Sequence, residues 1–198
     1  AMHAGEDGSI NAVEYQHEGE TVRLECDALI SSMPVKDLVA GLPEVPADIA
    51  AAAKGLPYRD FVTVGLLVDM PTLGDMVPDC WIYVQDKDVK LGRIQIFNNW
   101  SPYMVADPER TVWIGLEYFC NEGDDFWNME DKTCIDFAVG ELVHMGILRS
   151  ADEVQDAHRE RVKKAYPAYF DTYDQMDSIV DYLSGIPNLY CVGRNGQH

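Results

Sequence analysis

Near the end of the chain the run Gly193-Arg194-Asn195-Gly196 follows an apolar stretch at 188–192. Glycine lets a backbone approach a phosphate or a ribityl chain closely, and an arginine beside it offers a two-pronged contact to an anion. An ordinary surface loop has the same composition. A flavin or nicotinamide site also needs a GxGxxG motif between a first strand and helix, because that helix's amino terminus holds the pyrophosphate. No such motif occurs in the 198 residues.

Asn98, Asn99 and Trp100, followed by Ser101-Pro102-Tyr103, place amides and aromatics at a predicted strand end, a composition suited to gripping a polar, partly flat ligand or to capping a turn over a buried tryptophan. Tyr166, Tyr169 and Tyr173 present apolar rings with polar tips, which serve a cavity wall or a core equally well. Gly65 and Gly115 lie inside strands, where glycine marks a bulge or a close approach. The acid-rich run 117–125 lacks the ligand alternation and terminal glutamate of a calcium-binding EF-hand. Cys120 with His144 or His158 has the residue types of a nucleophile and base, but a buried structural cysteine satisfies the same sequence. The five histidines show no HExxH or HxH spacing, so no metal site is expected.

The elements that must position these residues sit in a chain of formal charge -19. Nucleic acids and anionic membranes are held by Lys and Arg, so neither is an expected partner. The longest mostly apolar stretch, 61–68, is too short to cross a bilayer. Five scattered cysteines without CxxC suggest reduced thiols and a cytoplasmic location. Ala1 and Met2 read as a remnant ahead of a chosen start, which marks the chain as a fragment.

Strands are predicted at 10–15 and 21–26 around a turn at Glu18-Gly19-Glu20, then at 28–30. Pro34 suits the first turn of a helix burying Val35, Leu38, Val39 and Leu42, and a second helix is expected over 47–54. The alternation of Val62, Val64, Leu66 and Val68 marks a central strand. Strands at 81–85, 92–98 and 111–119 complete an antiparallel meander. Asn128 is expected to cap a helix carrying Ile135, Ala138, Leu142 and Met145, closed near Gly146. A strand at 154–165 precedes a helix with Thr172 and Gln175 as its capping box, burying Tyr173, Met176, Ile179, Val180 and Leu183. The class is α+β: a mixed, mostly antiparallel sheet flanked by helices.

Six segments carry a family likeness: 27–34, Tyr58-Arg59-Asp60-Phe61-Val62-Thr63-Val64-Gly65, 94–100, 117–125, 165–169 and 189–196. In this order they resemble bacterial NAD(P)/FAD-dependent amine oxidoreductase-like proteins, a group with protoporphyrinogen oxidases, monoamine oxidases and UDP-galactopyranose mutases. The resemblance implies that residues 1–32 are a remnant of an FAD-binding domain, 33–186 a substrate-binding domain, and 187–198 a returning strand and Gly-Arg loop of the FAD domain. It also implies that Met33, Pro34, Gly193, Arg194, Asn195 and Gly196 face the cofactor. Asn98, Asn99, Trp100, Tyr118, Tyr166 and Tyr169 would face a small-molecule substrate. FAD would bind the full-length parent through its missing FAD-binding half and not this fragment alone, which would be inactive. Hydride transfer to flavin is the implied chemistry, with no catalytic residue assigned. Alternatives are a fragment of a flavin-dependent nucleotide-sugar mutase, favoured by Arg59, Arg93 or Arg194 clustered in one cleft, and an acidic non-enzymatic interaction domain.

Overall fold

A computed structural model describes residues 1–70 and 77–198. The chain is α+β and divides into two compact units, one of residues 1–59 and 164–198 and one of residues 60–163.

In the first unit, β1 (Met2–Ala4), β2 (Ile10–His17) and β3 (Glu20–Glu25) form an antiparallel sheet in that order. Glu18 and Gly19 both take positive φ (50° and 84°), the geometry of the tight hairpin turn that matches strand twist. β4 (Leu29–Ser31) leads into α1 (Val35–Gly41) and α2 (Ala47–Gly55). Past residue 163, α6 (Met176–Ser184), β10 (Leu189–Cys191) and the single turn α7 (Gly193–Gly196) close the unit. The core joins Val35, Leu38 and Val39 of α1 with Ile49, Ala52 and Ala53 of α2 and Met176, Ile179 and Leu183 of α6. Helical spacing of apolar residues dictates these faces. Val180 lies on the exposed side of α6 and Tyr173 in the 3-10 turn Asp171–Gln175 before it, so the expected buried set narrows to Met176, Ile179 and Leu183. The capping box also fails. Gln175 precedes α6 without a side-chain cap bond, and the Thr172 hydroxyl instead donates to the Ala52 carbonyl at 2.8 Å.

The second unit carries β5 (Tyr58–Asp69) from residue 60 onward, β6 (Trp81–Tyr83), β7 (Arg93–Ile96), α3 (Phe97–Trp100), β8 (Thr111–Cys120), α4 (Asp125–Asn128), α5 (Asp131–His144) and β9 (Val154–Pro167) as far as residue 163, the remaining residues of β5 and β9 belonging to the first unit. The sheet order is β6-β7-β8-β5-β9. β6, β7 and β8 form the expected meander, but β5 lies between β8 and β9. Its ten-residue antiparallel pairing with β8, from Asp60↔Cys120 to Asp69↔Thr111, outweighs the three-residue β6 as a partner. Val62, Val64, Leu66 and Val68 meet Val112, Ile114, Leu116 and Tyr118 on the face covered by Cys134, Ala138, Val139 and Leu142 of α5. Asn128 does not cap α5. It ends α4, donating to the Gly123 carbonyl at 2.9 Å, and Glu130 takes the cap position. The carbonyls left at this break are bonded by Arg159, which donates to those of Phe126 (3.0 Å), Trp127 (2.9 Å) and Met129 (2.8 Å), and by Arg161, which shares the last two.

Candidate functional site

β4 and β10 pair in parallel, with Leu29↔Leu189, Tyr190↔Ile30 and Cys191↔Ser31 in register. Both chains therefore leave the pair at the same end, and the bond from the Val192 amide to the Ser31 carbonyl (2.9 Å) extends the pairing to the exit. Met33 and Pro34 follow one strand, Gly193–Gly196 the other. Ligands of parallel sheets bind beyond the carboxyl ends of strands, which is this position. Gly196 packs so closely on β4 that a Cβ there would lie 2.7 Å from the Ser31 carbonyl oxygen, so only glycine fits. Gly193 has φ +72° and open space on its Cβ side.

Two predicted substrate residues join this cluster. The Arg194 guanidinium lies 4.6 Å above the Tyr166 ring, a stacked cation–π contact. Tyr169 meets Tyr173 edge-on at 5.0 Å, and both rings lie near the His198 imidazole, which also contacts Tyr58 edge-on at 4.9 Å. Burial holds the His198 ring below the usual histidine range and pushes the Tyr58 phenol up to about 12, with the Asp37 carboxylate adding to the latter. Four buried polar atoms here make no side-chain hydrogen bond: Ser31 Oγ, Tyr58 Oη, Asn195 Oδ1 and His198 Nδ1. Buried polar groups are paired in native proteins, so each of these atoms calls for a water or another polar group beside it.

These features fit one edge of a bound cofactor: an open glycine, an arginine and unpaired acceptors. A pyrophosphate cradle is a separate requirement, and the sequence holds no GxGxxG to make one.

The other predicted substrate residues lie in the second unit. Asn98 uses its amide within the sheet, donating to the Thr111 carbonyl (2.9 Å) and accepting from the Trp113 amide (3.1 Å). Asn99 donates to the Val77 (2.7 Å) and Asp79 (2.9 Å) carbonyls. Trp100 is half exposed rather than buried and meets Trp81 edge-on at 4.9 Å. Tyr118 is wholly enclosed in the core, where burial and the nearby Glu141 carboxylate push its phenol far above the usual range. Cys120 and Cys134 have thiols raised by burial, which disfavours the reactive thiolate.

Sequence reasoning missed the sheet face opposite α5. There Arg93 and Glu117, directly opposed on β7 and β8, form a buried ion pair, Nε to Oε2 at 2.7 Å, and Gln95 donates to the other carboxylate oxygen. The rings of Trp81, Tyr83 and Phe119 surround the guanidinium at 4.7, 5.7 and 5.8 Å. Gly65 and Gly115 oppose one another in the same face, where the Trp113 and Phe97 rings come within 2.8 and 3.0 Å of where a Cβ would stand. The available signal was polar residues alternating with apolar ones in Arg93-Ile94-Gln95-Ile96.

Among the described residues no group of three or more His, Cys, Asp or Glu could hold a metal, and no helix is long and apolar enough to cross a membrane.

No family model and no curated protein matches the chain. Solved structures do. A reduced UDP-galactopyranose mutase is similar with TM-score 0.66 and 21% identity over 90% of this chain and 38% of that one. A protein assigned as a protoporphyrinogen oxidase from an Exiguobacterium species gives 0.60 and 13% over 91% of this chain and 38% of that one. A putrescine oxidase variant redesigned in cofactor binding gives 0.60 and 11% over 91% and 39%. The chain thus spans about two fifths of the length of these structures, and across that span it has the fold found in these oxidases and in the mutase.

Proposed function

We propose that this chain is the substrate-side part of a longer FAD-dependent oxidoreductase, in which residues 1–32 and 187–198 belong to the FAD-binding domain and 33–186 to the substrate domain. The observation that carries this reading is the β4–β10 pair. Parallel strands occur almost only inside larger sheets covered on both faces, and a two-stranded sheet is marginal alone. Among the described residues the pair has two strands only, with Ile30 69% and Tyr190 54% exposed. The β2–β3 hairpin supports it. Val13↔Leu24 and Tyr15↔Val22 form an apolar stripe on one face, of which Tyr15 and Leu24 are exposed. Both surfaces suit a missing α/β half of the same protein.

In that parent, Met33, Pro34, Gly193, Arg194, Asn195 and Gly196 would line one edge of FAD, and FAD supplies the hydride acceptor. The chain's own residues would shape and dry the substrate space, a small amine- or porphyrinogen-like molecule being the expected class, with Tyr166 and Tyr169 as wall. The nucleotide-sugar mutase reading needs arginines to neutralise a diphosphate. Arg93 is already paired with Glu117 and buried, which favours the oxidoreductase. A cytoplasmic setting is the expectation from five scattered cysteines without CxxC.

The test is the visible absorbance spectrum of the full-length parent beside that of this chain mixed with FAD. Bound flavin in the parent and none in the chain is the expected result; a parent without flavin overturns the reading.

A further inference from the structure

Within β9, Lys164 takes φ +51°, a left-handed conformation unusual for a residue other than glycine. Such strain persists only where the surroundings enforce it, and it concentrates at functional positions. Two interactions accompany it here. The Lys164 ammonium binds both carboxylate oxygens of Asp37, at 2.7 and 2.5 Å, and Asp37 lies in the first turn of α1, just beyond Pro34. The Lys164 carbonyl accepts the side-chain amide of Asn195 at 3.1 Å. Two residues further on, the Tyr166 ring supports Arg194. One strained residue thus touches the segment after β4 and the turn after β10 together.

We infer that Lys164 is a positioning residue for the Gly193–Gly196 turn: its left-handed backbone aims its carbonyl at Asn195 and so orients that turn. The consequence for a cofactor rests on the function proposed above. With its nitrogen bonded to Lys164, Asn195 keeps Oδ1 as an unpaired acceptor on a fixed heading.

What Asn195 needs is a backbone carbonyl, so the inference concerns conformation more than side-chain identity. Asparagine and glycine enter the left-handed region readily, whereas a β-branched residue resists it. The test compares 1H–15N spectra of this chain with those of Lys164→Val, Lys164→Asn and Lys164→Gly. Lys164→Val is expected to displace the amide resonances of Gly193, Arg194 and Gly196 and the side-chain amide of Asn195. Lys164→Asn and Lys164→Gly are expected to keep them near their original positions, a rescue that a loss of stability alone would not produce. The Gly65 and Gly115 amides should stay put in all three. Equal displacement by all three variants, or an unmoved turn in Lys164→Val, overturns the inference. If Lys164→Val does not fold, Asn195→Ala replaces it and must move the amide of Ala165, which adjoins the Lys164 carbonyl; an unmoved Ala165 overturns the inference as well. None of these readouts needs flavin, so failure here is distinct from a parent that lacks it.

Discussion

The side chain of Asn188 grips Ile10 across 178 positions of sequence: its Oδ1 accepts the Ile10 amide at 2.8 Å and its Nδ2 donates to the Ile10 carbonyl at 2.7 Å. A third bond, Nδ2 to the Asp27 carbonyl at 2.9 Å, holds the segment entering β4. One amide thus mimics a strand, tying β2 and β4 to the start of β10. Replacing it with alanine leaves a buried backbone amide unpaired, which costs about 1–3 kcal/mol. Asn188→Ala should lower the urea midpoint accordingly and increase hydrogen exchange at Ile10 more than in β5 or β8.

The Arg93–Glu117 pair makes a sharper prediction. Removing one partner of a buried ion pair leaves an uncompensated charge and costs about 3–5 kcal/mol, while replacing both with apolar residues of similar volume is often neutral. Glu117→Leu alone should therefore destabilise the second unit strongly, and Arg93→Met with Glu117→Leu should recover most of the loss. A double-mutant cycle in urea measures this; equal loss in the single and double variants would show that packing dominates.

Tyr58 predicts an alkaline effect. Its phenol titrates at about 12 in the folded chain against 10.0 when unperturbed. Between those values the unfolded chain releases the proton and the folded chain keeps it. Stability from this group is therefore complete below pH 10 and declines as pH rises towards 12. Tyr58→Phe should flatten that part of the stability curve, as read by denaturant midpoints from pH 9 to 11.

Arg159 is wholly buried in its side chain and donates to three carbonyls around the α4–α5 break and to Asp131 at 2.8 Å. Lysine keeps the charge but cannot reproduce the fork. The Trp127 and Met129 carbonyls also accept from Arg161, at 2.8 and 3.1 Å, so the buried Phe126 carbonyl depends most on the fork. Arg159→Lys should cost about 1–3 kcal/mol chiefly there, and thermal unfolding followed by tryptophan fluorescence would register it through the adjoining Trp127.

Periodicity alone located β5, because Val62, Val64, Leu66 and Val68 must share one face whatever that face packs on, and α1, whose buried residues and opening proline are both local. The ordered segments at 27–34, 165–169 and 189–196 also pointed to the fold that the solved structures bear out. These properties are written in neighbouring residues, where geometry of period 2 or 3.6 and the fixed φ of proline act without reference to the rest of the chain. What only tertiary structure decided is long-range. Sheet order put β5 between β8 and β9, and α4, formed over Asp125–Asn128, took Asn128 from its expected cap. Cross-strand register turned Arg93 and Glu117 into a pair, and parallel pairing brought Met33 and Pro34 beside Gly193–Gly196. Each depends on which distant backbone or side-chain group a donor meets, and that choice is made by packing rather than by the residue's own preferences.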